Sequence, residues 1–326
     1  AQFQACDLDL ARMTREEHNL SLKRRLSEER VRHCVPETDP DFERILRLAK
    51  QGVNILRDPS FVAENPVPAL RTLYELMAPA VDQMIYKEWE QRKCFILPTE
   101  VAKAIIGRWY ASLHWTKKKG SIPGRKLRDD SAPDPVTGHS LNRGTAKALA
   151  QEQNGNITHP TIGKIVNMIL DQVDKHGWEN VSLFQTDIKD AFGQLMVNEE
   201  DVCLLLSALT EDLTVIRHRG FFGHTGMPPA FAVISRVLEA RINAIISGAV
   251  LVFADDTMGA SHTSKVEEDL ALANGFCEAL MGDGAVALEK SIWGRFLDFI
   301  GWRINLDKRI ITLNERNFHK LLYGFW

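Results

Sequence analysis

The chain has 326 residues, with 40 Lys+Arg against 43 Asp+Glu for a formal net charge of −3; at roughly 100–200 residues per domain, this length holds about two domains. An apolar fraction of 44% and a charged fraction of 25% are those of a globular protein with a core, and the near-balance of charge argues against a surface that coats nucleic acid or membrane throughout. Five Cys (6, 34, 94, 203, 277), an odd count with no Cys-x-x-Cys, argue against a disulfide framework or a zinc ribbon and for reduced thiols in a cytoplasmic or nuclear setting.

Residues 1–95 are rich in charged helical stretches, 14–34 and 41–53, and 70–89 reads as a firmer amphipathic helix with Leu73, Leu76, Met77, Val81, Met84 and Ile85 at 3–4 spacing. Nothing here names a chemistry. The first residue is Ala rather than Met, as expected of a piece of a longer product, and no signal-peptide order precedes the helices. Residues 101–150 change character: ten Lys/Arg stand against three Asp, and Gly120, Pro123, Gly124, Pro133, Pro135 and Gly138 break the segment into loops. From 180 onward strands and helices alternate. Strands are expected at 181–186, 214–219 (exposed), 250–253, 257–260, 285–288, 296–304 and 310–313. Helices are expected at 199–209, at 229–246 with Pro in its first turn, and from a Ser264-x-x-Glu267 capping box to about 281. The longest nearly apolar run, 242–254, contains Asn243 and Ser247 and is too short to cross a bilayer.

Two strands end in carboxylates. Leu251-Val252-Phe253-Ala254-Asp255-Asp256-Thr257 is an apolar strand running into a turn that carries Asp255 and Asp256, and Phe184-Gln185-Thr186-Asp187 ends likewise. Asp is common in turns for local reasons, and Asp190 alone is a helix cap or first-turn acid. Adjacent strands ending at one rim would bring Asp187 and Asp255 together, however, and such acids repel unless something neutralises them. A hard divalent cation does so: Mg²⁺ takes one or two carboxylates plus phosphate oxygens.

The ordered blocks resemble a reverse transcriptase of the retroelement type, LTR-type or related, including tyrosine-recombinase elements. Phe184–Phe192 (F-Q-T-D-I-K-D-A-F) resembles the family's first palm motif, and Phe222-Gly223-His224-Thr225-Gly226-Met227-Pro228-Pro229-Ala230-Phe231 its second. Phe253-Ala254-Asp255-Asp256 is similar to the (Tyr/Phe)-x-Asp-Asp motif. Leu288-Glu289-Lys290-Ser291 and Phe299-Ile300-Gly301-Trp302 resemble the lysine and primer-grip motifs. Lys117-Lys118-Lys119-Gly120, Arg125-Lys126-Leu127-Arg128-Asp129 and Leu141-Asn142 are similar to the fingers segment that holds triphosphate. The resemblance covers about 80–320. Phe253 stands where many members have Tyr, Phe222 where some retroviral enzymes have Gln, and 130–140 looks like an insertion.

The resemblance implies two Mg²⁺ ions, with Mn²⁺ able to substitute, on Asp187, Asp255, the backbone carbonyl of Ile188 and, more loosely, Asp256. It implies Lys118 and Arg125 on the triphosphate, Gly223 close to nucleotide or template, Phe192 under the sugar as a gate against a 2′-OH, and Lys290 as general acid or screen for pyrophosphate. Phe299, Gly301 and Trp302 would form the primer grip. The expected fold is α/β (α+β): right-hand polymerase fingers and palm, with a ferredoxin-like palm sheet carrying helices on one face. The expected segments are a helical N-terminal extension (1–79), fingers (80–180), palm (181–304) and the start of a truncated thumb or connection (305–326). Expected partners are an RNA or DNA template with primer, dNTPs and further polyprotein domains (RNase H, integrase or recombinase) of which the sequence carries no signature; no membrane is expected. The competing readings are a catalytically silent, domesticated scaffold that binds nucleic acid or protein, and, less well matched because of Phe192, a viral RNA-dependent RNA polymerase.

Overall fold

The computed structural model describes residues 25–55, 57, 58, 61, 65, 66, 83, 85–118 and 121–323, with the backbone alone for 114–118, 121–127 and 323. Along the chain the elements run α1 (Glu28–Cys34), α2 (Phe42–Gln51), β1 (Cys94–Pro98), α3 (Thr99–Lys103), β2 (Ser112–Lys118), β3 (Ser121–Asp129), α4 (Leu141–Gly144), α5 (Lys147–Asn154), α6 (Ile162–His176), β4 (Val181–Asp187), β5 (Leu206–Ala208), β6 (Leu213–Arg217), α7 (Met227–Ile245), β7 (Ala249–Phe253), β8 (Asp256–His262), α8 (Val266–Met281), β9 (Ile292–Gly294), β10 (Phe296–Phe299), β11 (Trp302–Asn305), β12 (Ile310–Leu313) and α9 (Glu315–Tyr323). Residues 83 and 85–90 are also helical; 70–82 and 84 of the expected amphipathic helix, and 14–24 of the first charged one, lie outside the described residues.

Two compact units interleave along the chain. The first is Ala1–Arg25, Leu46–Asn156 and Phe192–Ala230; the second is Leu26–Ile45, Ile157–Ala191 and Phe231–Trp326. This differs from the four consecutive segments expected from the sequence. The reason is strand pairing: β1 pairs with β6, so residues before and after β4 share one sheet.

In the first unit the sheet order is β1-β6-β5, all antiparallel, and β2 and β3 form a separate hairpin with a register shift between Thr116 and Lys118. Ile85, Cys94, Ile96, Leu113, Leu209 and Val215 form one core cluster, and Leu97, Ala102, Tyr110, Leu206 and Ile216 another. Two expectations change here. The helix expected over 199–209 is a 3-10 helix, Glu199–Leu204, followed by β5. The strand expected to be exposed is buried, because β6 lies between β1 and β5.

In the second unit an antiparallel sheet has the order β7-β8-β4-β9, with Phe184 opposite Gly259 and Asp187 opposite Asp256. Cross-strand partners share a face, so Val181 and Leu183 of β4, Met258 and Ala260 of β8, and Ala249 and Leu251 of β7 point one way. They pack against Ile165, Met168, Ile169 and Val173 of α6 and against Leu297, Phe299 and Ile304 from the second sheet, β10-β11-β12. The opposite face meets α8: Thr186 Oγ1 donates to Asn274 Oδ1 at 2.7 Å. Helices therefore cover both faces rather than one, as β4, buried on both sides, requires. The pairing is antiparallel throughout both sheets of this unit, which makes the architecture α+β.

Other local expectations shift. The span 296–304 is two strands joined at Ile300 and Gly301, both with positive φ (49° and 84°), the signature of a tight hairpin turn. Of 285–288 only Val286 pairs, in a bridge to Ile188. The capping box is not formed: α8 starts after Lys265 without a side-chain cap, while Ser264 Oγ lies 2.8 Å from His262 Nδ1. Cys34, Cys94, Cys203 and Cys277 are free thiols, and no helix among the described residues is long and apolar enough to cross a membrane.

Candidate active site

On the α6-facing side of the second unit's sheet, the apolar row ends in acids. Stepping by two along β4 from Val181 and Leu183 leads to Gln185 and Asp187, and stepping back along β8 from Ala260 and Met258 leads to Asp256. Asp187 and Asp256 are thus direct cross-strand partners on the two central strands, an arrangement of like charges that costs stability unless something relieves it. The turn differs slightly from expectation. Its two residues are Ala254 and Asp255, and Asp256 is already the first residue of β8, opposite Phe253.

Electrostatics carry the mark of this crowding. Burial, and then the charges of Asp255 and Asp187, push the Asp256 carboxyl up to about 6. Lys290 Nζ donates to Asp187 Oδ2, and that hydrogen bond raises the lysine above its usual range. The Ile188 N–H donates to the Asp255 carbonyl at 2.9 Å, and the Ala287 N–H to the Asp187 carbonyl at 2.9 Å. Among the described residues no group of three or more His, Cys, Asp and Glu is already gathered as a metal cage. The donor set nonetheless fits a hard cation. Asp187 and Asp256 place hard carboxylate oxygens opposite each other at the end of the two central strands, and burial, then the neighbouring charges, raises the Asp256 carboxyl. Gln185, one step in from Asp187, has a buried Oε1 with no hydrogen-bond partner among the described residues.

Phe253 leads into this turn, and His159 stacks on its ring at 4.1 Å between centroids. The residues expected for the primer grip sit at the β10–β11 turn. Phe299 is buried in the core, so its ring anchors the turn and is not itself presented at the surface; Gly301 occupies the turn and Trp302 is half-buried.

In the first unit, Phe192 is half-buried and meets the exposed Phe222 edge to face, 4.8 Å between centroids. Gly223 has φ +115°, and a Cβ there would run into the Arg128 carbonyl oxygen, so this glycine is required by the protein's own backbone. Asn142 clamps the same loop: its Nδ2 donates to the Gly223 carbonyl (2.7 Å) and to Ser131 Oγ (2.8 Å), and its Oδ1 accepts the Thr225 N–H (2.8 Å). His224 is buried. Its Nδ1 accepts the Gly226 N–H at 3.0 Å, so its Nε2–H faces Thr145 Oγ1 at 3.2 Å. Burial, then the Arg128 charge, holds its pKa down to about 3. Arg128 itself is buried against Asp130 (3.1 Å) and donates to the Leu204 carbonyl at 2.7 Å.

Lys118 ends β2, and Arg125 pairs with Thr116 in the β2–β3 hairpin. Asn142, His224 and Arg128 are the loop-holding residues that sequence reasoning did not single out for this task. All three stood inside quoted motifs, but their partners Gly223, Thr145 and Leu204 lie about eighty positions away in the chain.

No protein-family model matches the chain, and no curated protein does. Solved structures do match. The crystal structure of native prototype foamy virus protease-reverse transcriptase matches over 81% of this chain and 29% of that one, at 12% identity and a TM-score of 0.52. A foamy viral protease-reverse transcriptase in complex with double-stranded DNA matches over 90% of this chain and 48% of that one, at 14% identity and TM-score 0.58. The same type of protein in complex with an RNA/DNA hybrid matches over 90% and 37%, at 10% identity and TM-score 0.54. The chain thus spans between about a third and a half of the length of these neighbours. At such identities the likeness is one of architecture, and by it the chain has a reverse-transcriptase fold.

Proposed function

We propose that the chain is the polymerase part of a retroelement reverse transcriptase and catalyses template-directed DNA synthesis. The reaction is transfer of a nucleotidyl group from a dNTP to a primer 3′-OH on an RNA or DNA template, with release of pyrophosphate. The observation that carries this reading is Asp187 opposite Asp256 on the central strands, with Asp255 in the adjoining turn, in a chain of reverse-transcriptase fold. A scaffold has no physical need for mutually repelling acids at one rim.

Asp187, Asp255, Asp256 and the carbonyl of Ile188 would hold Mg²⁺, in the two-ion form of this chemistry, with Mn²⁺ as a substitute. When bound, such ions neutralise phosphoryl oxygens and make a hydroxyl more acidic. The chain's own residues do the rest. Lys118 and Arg125 bind the triphosphate, Arg through its planar fork. Phe192, steadied by Phe222, closes the space a 2′-OH would need. Gly223 and Asn142 fix the loop that presents Phe222. Lys290 holds its proton beside Asp187 and supplies positive charge, and a proton, to the departing pyrophosphate. Phe299, Gly301 and Trp302 shape the turn that holds the primer. The foamy viral structures with double-stranded DNA and with an RNA/DNA hybrid support nucleic acid as the partner. RNase H, integrase or recombinase domains would belong to the same polyprotein.

Asp255→Asn removes one ligand charge without changing shape. It should abolish primer extension while leaving circular dichroism unaltered and thermal unfolding no lower than in the parent; extension that survives contradicts the assignment. One observation favours the silent-scaffold reading: the Lys290 ammonium already sits on Asp187 as an internal counter-ion. That reading requires the parent chain to bind primer–template yet extend nothing in either Mg²⁺ or Mn²⁺.

A further inference from the structure

β7 is an edge strand, so the N–H and C=O groups along its outer side need partners from outside the sheet. Helix α7 supplies them. Asn243 Oδ1 accepts the Val250 N–H at 2.8 Å while its Nδ2 donates to the Val250 carbonyl at 3.0 Å. Glu239 Oε2 accepts the Val252 N–H at 2.9 Å, and Ser235 Oγ donates to the Ala254 carbonyl at 3.0 Å. The spacing works because four helical residues rise about 6.0 Å and two strand residues about 6.6–6.8 Å. Helix positions 243, 239 and 235 therefore meet strand positions 250, 252 and 254 in reverse order.

The last contact of this row falls on the peptide that enters Asp255. Ala254 is held at φ +54°, a left-handed conformation that a non-glycine residue keeps only where its surroundings impose it. On its other side, the Asp255 carbonyl accepts the Ile188 N–H. Both peptides flanking Asp255 are thus tied, one to β4's end and one to α7. Ser235 is buried, and its usual option, the carbonyl of Phe231 one helical turn back, lies at 3.2 Å.

We infer that Ser235 is a positioning residue: by holding the Ala254 carbonyl it sets the orientation of the Asp255 carboxylate toward a divalent cation. The inference rests on the polymerase reading above and adds to it a residue outside every motif that the reading used.

The test measures Mn²⁺ affinity of the whole chain by electron paramagnetic resonance of the free ion, beside primer-extension kinetics. Ser235→Ala, and Ser235→Cys as a near-isosteric variant with a much weaker donor, should each weaken Mn²⁺ binding about tenfold, the usual effect of losing a residue that orients a metal ligand. In extension they should lower kcat by a similar factor with the dNTP KM held within about twofold. Ser235→Thr, which keeps the hydroxyl, should restore both. Asn243→Ala removes two bonds at the far end of the row; it should lower the melting temperature and leave Mn²⁺ affinity within about twofold of the parent. Folded Ser235→Ala and Ser235→Cys proteins that bind Mn²⁺ as the parent does overturn the inference, and so does an equal loss in Asn243→Ala. A parent chain that neither binds Mn²⁺ nor extends a primer overturns the polymerase reading instead.

Discussion

Phe192 meets Phe222 edge to face, and the loop carrying Phe222 is fixed by Asn142, by the buried His224 and by the close approach of Gly223 to Arg128. Phe192→Val should therefore raise ribonucleotide incorporation by at least about tenfold, measured as the ratio of NTP to dNTP extension, since one missing ring opens the space of a hydroxyl; unchanged sugar selectivity contradicts the gate. Gly223→Ala should cost about 1–3 kcal/mol in urea unfolding, because its φ of +115° and the Arg128 carbonyl both oppose a Cβ. His224 gives a pH test. Its pKa is about 6.5 unfolded and about 3 folded, lowered by burial and then by Arg128. Below pH 6.5 the unfolded chain takes up a proton that the folded chain refuses, so this residue's contribution is full above pH 6.5 and is lost as pH falls. The stability difference between the parent and His224→Gln should shrink by up to about 1.4 kcal/mol per pH unit between pH 6 and pH 4; a difference that does not change with pH contradicts a neutral buried His224. The carboxylates were legible in the sequence because each stands at the end of a short apolar run, a local pattern. The loop-holding roles of Asn142, His224 and Arg128 were not, because they depend on partners distant in the chain.

The strands and helices show the same division between local and distant information. β4, β7 and α7 lie within two residues of their expected limits, since their apolar periodicity is strong and uninterrupted. The elements that shifted are those where a turn or a neighbour decides. Ile300 is β-branched and gives no turn signal, yet it adopts φ +49° beside Gly301 and splits the strand expected over 296–304. Ser264 matches a capping box in sequence, but its hydroxyl is taken by His262. β6 reads as exposed by alternation and is buried by β1 and β5, which no local pattern announces. The register that aligns Asp187 with Asp256 also sets Phe184 against Gly259, where a Cβ would enter the Phe184 ring. Gly259→Ala should thus destabilise the protein by about 1–3 kcal/mol through overpacking, seen as a lower urea midpoint with an unchanged slope. A neutral substitution would mean that the two central strands are not packed as described.

Charge and chain organisation belong to the molecule as a whole. The net charge of −3 hides an excess of seven in residues 101–150, ten Lys/Arg less three Asp. The buried Arg128–Asp130 pair takes one cation and one anion out of the surface together and leaves that excess unchanged. The interleaving of the two units was not legible, because pairing of β1 with β6 joins segments that composition alone assigns to different domains. With a net charge of −3 and a cation excess concentrated in residues 101–150, binding to primer–template should be weak, falling about a thousandfold as salt rises from roughly 50 to roughly 200 mM; tight binding at high salt would contradict an electrostatic footprint of this size. The most direct test of the whole account is extension of a labelled primer on an RNA template by the parent chain, with dNTPs or NTPs, in Mg²⁺ and in Mn²⁺. The account predicts stepwise extension with dNTPs that follows the template and needs the divalent ion; no extension with either ion, or extension with NTPs alone, would contradict it.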